Sequence, residues 1–344
     1  MRLLSRSSLL ALAAGALVAV PATAQQRTLT YYGDFDPAPL AAFQTAIAEF
    51  EKANPDIDVV FQNFDHEGYK TAIRNFLTAD PPDIANWYAG NRMAPFVNGG
   101  QFMDVSDVWA EHGLAESLAS ALPSMTLDGK QWGVPYTYYH WGIYFNRTLY
   151  DQVGAEVPST WDEFIANCAK FKEAGIDCVT TGTKALWPAA GIFDYLDLRT
   201  NGYDFHMALT NGEVPWTDDR VKATFTEWAK LVEPGYVVAN HAAVDWQDAA
   251  ALLVQGKAAN FVIGNFAVPY FKDGGMTDET LGFMPFPTIT PDVPRAELAP
   301  IDSVHITAGA KNPDDAKKFL AYLATAEVQT KINEAFGQLP INKD

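Results

Sequence analysis

The sequence predicts an α/β protein of two domains, each a mainly parallel sheet flanked by helices. Two observations carry this. Between residues 28 and 88, β-rich runs alternate with helical periodicity over short links, the pattern of a parallel sheet covered on both faces. The 344 residues, less an N-terminal leader, also exceed what one hydrophobic core organises.

The leader is MRLLSRSSLLALAAGALVAVPATA, residues 1–24. Arg2 and Arg6 precede a short apolar run, and Ala22-Thr23-Ala24 closes it as a small-x-small cleavage site. The run is too short for a membrane span, so a cleaved signal and a periplasmic chain starting at Gln25 are expected. No cysteine follows the run, which excludes a lipid at the cut. Cleavage takes the 24 basic residues to 22 against 42 acidic ones, a net charge of −20. Such a surface repels nucleic acid, which needs clustered Lys and Arg.

TLTYY (28–32) reads as the first strand. The helix after it has Phe43, Ile47 and Phe50 at helical spacing, Asp36 as its N-cap and Asn54-Pro55 as its stop. IDVVFQNF (57–64) is a second strand, residues 67–78 a helix with Tyr69, Ile73 and Phe76–Leu77 on one face, and PPDIANWY a third strand. Residues 130–146 hold two extended runs broken near Pro135. STWDEFIANCAKFKEAG is a helix capped by Ser159, with Asp162 and Glu163 complementing its dipole. DWQDAAALLVQGKAANFVIGNF reads as helix, glycine stop and buried strand. IDSVHITAGA is a strand, and one or two helices follow over 312–336.

Cys168 falls on a helix and Cys178 just past a glycine turn. In an oxidising compartment they are expected to pair, and closing so short a loop contributes roughly 2–3 kcal/mol. The six histidines show no HxH or HExxH pattern, and neither GxSxG, GxxxxGK[ST] nor GxGxxG occurs. No catalytic residue, metal site or cofactor is expected.

VPYTYYHWGIYFN (134–146) places six aromatic rings and a histidine in thirteen positions. Any single ring is most simply core or rim. Collectively, aromatics and small polar residues fall at predicted element ends: Asp34, Trp87, Tyr136, Tyr138, Trp187, Asn265, Phe266 and Asp302. In α/β folds ligands sit at such ends. Flat apolar faces beside carboxylates and amides suit a sugar, whose ring has a C–H face and a hydroxyl rim.

PPDIANWYAG, WGVPYTYYHWGIYFNRTLYDQVG, VPSTWDEFIANCAKFKEAGI, LLVQGKAANFVIGNF and NPDDAKKFLAYLATAEVQ, in this order, resemble segments of the maltose-binding-protein-like receptors of carbohydrate ABC transporters. The resemblance runs across nearly all of residues 28–340. It implies a two-lobed periplasmic-binding-protein fold that closes over a ligand, with about three chain crossings, near Pro135–Thr137, Ile263–Asn265 and Ile301–His305. Lobe 1 would then hold 25–136 plus 265–303, and lobe 2 would hold 137–264 plus 304–344. Tyr144 and Phe145 would pack as core, Tyr136 and Tyr138 would face the cleft, and Trp187 would be a stacking platform on lobe 2. The implied function is capture of a mono- to oligosaccharide or related polyol and delivery to membrane permease subunits, by a monomer. The alternatives are a receptor for a polyamine or ferric iron, or a secreted glycoside-active enzyme. Two departures stand out. Phe266 occupies a position that is usually Trp, and the chain stops at LPINKD, short of the further helical turns usual in relatives; a truncated chain would be expected to lose helical cover from lobe 2.

Overall fold

The computed structural model describes residues 26–344, so the leader expected over residues 1–24 lies outside them. Strand β1 (Arg27–Gly33), helix α1 (Pro37–Ala53), strand β2 (Ile57–Asn63), helix α2 (His66–Ala79) and strand β3 (Ile84–Tyr88) follow one another as the alternation predicts. β1 pairs in parallel with both β2 and β3. Leu29 and Tyr31 point from β1 into the core, and α2 buries Tyr69, Ile73 and Leu77. Asp65 caps α2 by accepting from the Gly68 amide at 2.8 Å. Asp36 holds the N-cap position of α1, but its side chain makes no capping bond.

Several short helices lead to strand β4 (Val134–Tyr138), after which the chain crosses to a second lobe. There it forms β5 (Trp141–Asn146), α3 (Trp161–Glu173), β6 (Asp177–Thr180), α4 (Trp187–Thr200), α5 (Tyr203–Thr210), α6 (Asp219–Val232), α7 (Trp246–Val254), β7 (Ala258–Gly264), α8 (Val268–Asp273) and β8 (Leu281–Met284). It returns as β9 (Ile301–Ile306) and ends in α9 (Pro313–Leu323) and α10 (Ala326–Phe336). The first sheet has the order β2-β1-β3-β9-β4 and the second β8-β5-β7-β6. Both are mixed: β9 runs antiparallel to β3 and β4, and β5 runs antiparallel to β7 and β8. Among the described residues no helix is long and apolar enough to cross a membrane.

Two hydrophobic cores correct the expected residue assignment. One joins residues 29–136 to 304–341, the other spans 141–286. The segment 265–303, expected in lobe 1, packs mostly into lobe 2, because Ala267, Phe271 and Met284 fill its core and β8 pairs with β5. The segment 304–344, expected in lobe 2, covers lobe 1 through Phe319, Leu320, Ile332 and Phe336. The chain therefore crosses near 139–140 and near 299–301, and it does not cross at Ile263–Asn265.

Polar staples fix the frame. Buried Asp83 accepts from the Thr30 amide and hydroxyl at 2.8 and 2.7 Å, and from the Lys311 and Asn312 amides at 2.6 and 2.8 Å. It thereby ties β1, β3 and the start of α9 together near the amino end of β3. On α10, Gln329 donates to Pro135 O and accepts from the Ile341 and Asn342 amides, holding the tail against β4. Buried Arg199 of α4 donates to Phe286 O and pairs with Glu297, fixing the return segment. A disulfide joins Cys168 on α3 to Cys178 on β6, Cα–Cα 4.9 Å. The α3 cap is Thr160, one residue beyond the expected Ser159. Thr160 and Glu163 form a reciprocal capping box, and the Ser159 amide and hydroxyl add donors to Glu163.

Candidate functional site

The two lobes face each other across the carboxyl ends of β1 and β3 and the start of β9. The lobe 2 side is aromatic. Phe266, just past β7, is the hub, with ring centroids of Tyr139, Trp141, Trp187 and Trp246 at 5.4, 6.2, 5.9 and 5.3 Å. Tyr270 packs edge-on to Trp246 at 4.6 Å. Local backbone makes this assembly possible. A Cβ on Gly191 of α4 would lie 2.4 Å from the Trp141 ring, and one on Gly264 would lie 2.4 Å from Phe266. Only hydrogen at these two positions lets α4 and β7 close on the rings. Leu186, directly before Trp187, has φ +65°, a left-handed conformation uncommon for a branched side chain.

The lobe 1 side is polar and charged. Asp34, after β1, accepts from His66 Nδ1 at 2.8 Å and from Asn86 Nδ2 at 3.3 Å. Burial works to lower the His66 pKa, but the bond to Asp34 and its charge outweigh this and hold it raised. Glu67 accepts from Lys70 at 2.7 Å. The Arg92 guanidinium lies 3.4 Å from the Tyr88 ring centroid, a cation–π stack. Burial raises the Asp36 pKa, and the Tyr270 phenol of lobe 2 lies near it.

The floor lies where the chain crosses. Asp302 opens β9 opposite Tyr88 and Thr137, beside the Tyr139 hydroxyl. Burial, then the charge of Asp34, push its carboxyl up to about 7. Its Oδ1 is buried and has no hydrogen-bond partner within the protein. The same holds for Asn265 Oδ1 and Trp141 Nε1, on residues that are each 6% exposed. Leaving such groups unpaired is costly, and two acceptors and one donor stand free at one crossing.

The residues named from sequence divide accordingly. Asp34, Trp187, Asn265, Phe266 and Asp302 gather here. Trp87 stands at the end of β3, its indole N–H engaged by Arg92 O at 2.8 Å, so it offers only its ring. Tyr136 does not face the cleft: it is 3% exposed and packs among Phe35, Phe43 and Phe336 in the lobe 1 core. Tyr138, on the same strand face, packs against that core and pairs through its backbone with Leu339. The rings of this run that reach the site are Tyr139 and Trp141. Sequence reasoning also missed His66, Glu67, Trp141, Trp246 and Tyr270. Trp141 lay inside the aromatic run, whereas the others carry no local signal.

Ser303 and His305 are spaced like a nucleophile and base, Oγ to Nε2 2.8 Å. Both are fully buried, and burial lowers the His305 pKa to about 4. The neutral ring donates through Nδ1 to Trp132 O at 2.7 Å and accepts from Ser303, a structural bond in the wall beneath Asp302. Among the described residues, no three His, Cys, Asp or Glu side chains gather as metal ligands.

A family model described as bacterial extracellular solute-binding protein matches residues 36–330. An uncharacterized ABC transporter extracellular-binding protein of Pyrococcus horikoshii is 28% identical over 312 residues, 88% of this chain and 69% of that one. A multiple sugar-binding protein of Streptococcus mutans is 26% identical over 311 residues, 86% of this chain and 71% of that one. Among solved structures, a bacterial solute receptor described as having an exclusive preference for β-D-galactopyranose superposes with TM-score 0.83 at 30% identity, covering 92% of this chain and 81% of that one.

Proposed function

The chain belongs to the bacterial extracellular solute-binding protein family, and from that premise we propose that it is a monomeric periplasmic receptor for a sugar. It captures the sugar between its lobes and hands it to the permease subunits of an ABC importer, without chemical change. The observation that carries this reading is the floor of the cleft. Trp141 Nε1, Asn265 Oδ1 and Asp302 Oδ1 are unpartnered beside the Phe266 ring cluster. A sugar hydroxyl donates and accepts at once, so it answers both kinds of orphan, and its C–H face covers a ring. The names of the Streptococcus mutans relative and the galactopyranose receptor point the same way.

A polyamine fits less well. It needs several free carboxylates, yet Asp34 is bonded to His66 and Glu67 to Lys70, which leaves Asp302, whose carboxyl burial and Asp34 push up to about 7. The ring cluster supplies faces and the orphans include a donor, which a cation does not use.

In mechanism, the open lobes admit the ligand and the closed lobes bury it. The ligand stabilises the closed state to the extent that it binds that state better. A thermal-shift panel of monosaccharides, disaccharides, polyols, spermidine and ferric citrate tests the reading. Ligand at about a thousand times its dissociation constant adds roughly 4 kcal/mol to stability. A shift of several degrees with one sugar class is expected, and a shift only with spermidine or ferric citrate overturns the proposal.

A further inference from the structure

The lobes approach each other at three strand ends of lobe 1, and at two of them hydrogen bonds join the lobes. After β2, Glu67 accepts from Trp187 Nε1 at 3.1 Å. After β1, Asp36 lies near the Tyr270 phenol. After β3, Asn91 Nδ2 donates to Asn211 Oδ1 at 2.6 Å. The crossing strands β4 and β9, with Asp302, Asn265 and Trp141, bound the opposite side.

These bonds join prepositioned groups. Glu67 is fixed by Lys70 at 2.7 Å, in the first turn of a helix capped by Asp65. The Trp187 ring is wedged edge-on among Trp141, Trp246 and Phe266, so it cannot swing aside without losing all three contacts. Asn211 ends α5. That helix is anchored by fully buried Asp197, which bonds His206 at 3.0 Å and, on α6, Thr224 at 2.8 Å. The Asn211 Nδ2 is directed to Glu213, which leaves its Oδ1 facing Asn91. Asn91 sits in a single tight turn made possible by Gly90, φ +66°.

Resting on the receptor reading above, we propose that these rim bonds restrict the cleft to a ligand of one or two sugar rings, with Asn91 and Asn211 setting the limit. A short sugar on the Asp302–Asn265–Trp141 floor lies inside the closed rim. A longer glycan must leave the cleft through the rim, breaking at least one cross-lobe bond and displacing Trp187 or the α5–α6 turn. Asn91 and Asn211 act on ligand length without touching the short ligand.

Calorimetric titration of galactose, glucose and xylose, and of the linear di- and tetrasaccharides of each, tests this on the wild type and on the Asn91→Ala/Asn211→Ala double variant. The wild type is expected to bind at least one mono- or disaccharide, and the matching tetrasaccharide about a hundredfold more weakly, about tenfold per rim bond broken. In the double variant the short sugar weakens while the tetrasaccharide gains, and the ratio shrinks at least tenfold. A purely structural role for the two asparagines weakens both ligands alike, and that result overturns the inference. So does wild-type binding of a tetrasaccharide as tightly as its disaccharide. If no glycan of any length binds while spermidine or ferric citrate does, the receptor reading itself fails and the inference falls with it.

Discussion

Trp187 Nε1 donates to Glu67 Oε1 at 3.1 Å, joining α4 of one lobe to α2 of the other. The bond occupies the indole N–H, so Trp187 has only its ring to offer a ligand. Its two parts are separable. Trp187→Ala removes ring and bond and should cost about 2–4 kcal/mol of binding, the size of a central aromatic anchor. Trp187→Phe keeps a ring and loses the bond, a loss of about 1.4 kcal/mol, about tenfold in affinity. Calorimetry reads both, and unchanged affinity in the alanine variant removes Trp187 from the site.

Gly191 should tolerate no side chain. A methyl there meets the Trp141 ring at 2.4 Å and must displace it or α4. Gly191→Ala should destabilise the protein by about 1–3 kcal/mol, as overpacking does, and weaken ligand binding through Trp141. Urea unfolding and a ligand titration of the same sample check this. Wild-type values in both mean that the ring yields freely.

Asp83 lies far from the site and separates stability from binding. Replacing it by Ala leaves the Thr30, Lys311 and Asn312 amides without their acceptor. A loss of about 3 kcal/mol or more is expected, at about 1–3 kcal/mol for each stranded group. Ligand affinity of the folded fraction should stay at the wild-type value.

Asp302 makes binding depend on pH. Burial and Asp34 push its carboxyl up to about 7, while His66, Arg92 and Tyr139 pull it down. A ligand hydroxyl that donates to Oδ1 favours the ionised form. Affinity should therefore rise as pH climbs through about 6 to 8. Stability of the ligand-free protein runs the other way. The folded-state pKa is raised, so the group's stabilising contribution is complete below its unfolded value and is lost as pH rises through about 7. Titrations and melts at pH 5.5, 6.5 and 8 check both signs.

Much of the fold was legible in the sequence because its signals are local. The spacing of Tyr69, Ile73 and Leu77 on α2, and the strand, helix and glycine punctuation from Trp246 to Gly264, needed no partners to interpret. Lobe membership was not legible. Nothing near Asn265 says that Phe271 and Met284 pack back into lobe 2; that depends on β8 finding β5, more than a hundred residues earlier. The site was read one residue out of phase in the aromatic run. Strand faces alternate, so Tyr136 and Tyr138 share the face that packs on lobe 1 while Tyr139, just past the strand, turns to Asp302 and Phe266. Asp36 likewise has the chemistry of a cap, but its side chain makes no capping bond and lies near Tyr270 of the other lobe, a proximity that no local pattern encodes.

The most direct test of the account compares Asp302→Asn with the wild type at pH 8, measuring the affinity for the best sugar and the unfolding midpoint. The account holds that Asp302 is a ligand contact kept at the expense of stability, with a buried oxygen that nothing in the protein satisfies. It predicts that the amide variant binds at least about tenfold more weakly and unfolds at higher denaturant concentration than the wild type. Unchanged affinity with higher stability would contradict it, because Asp302 would then be a buried charge with no part in binding.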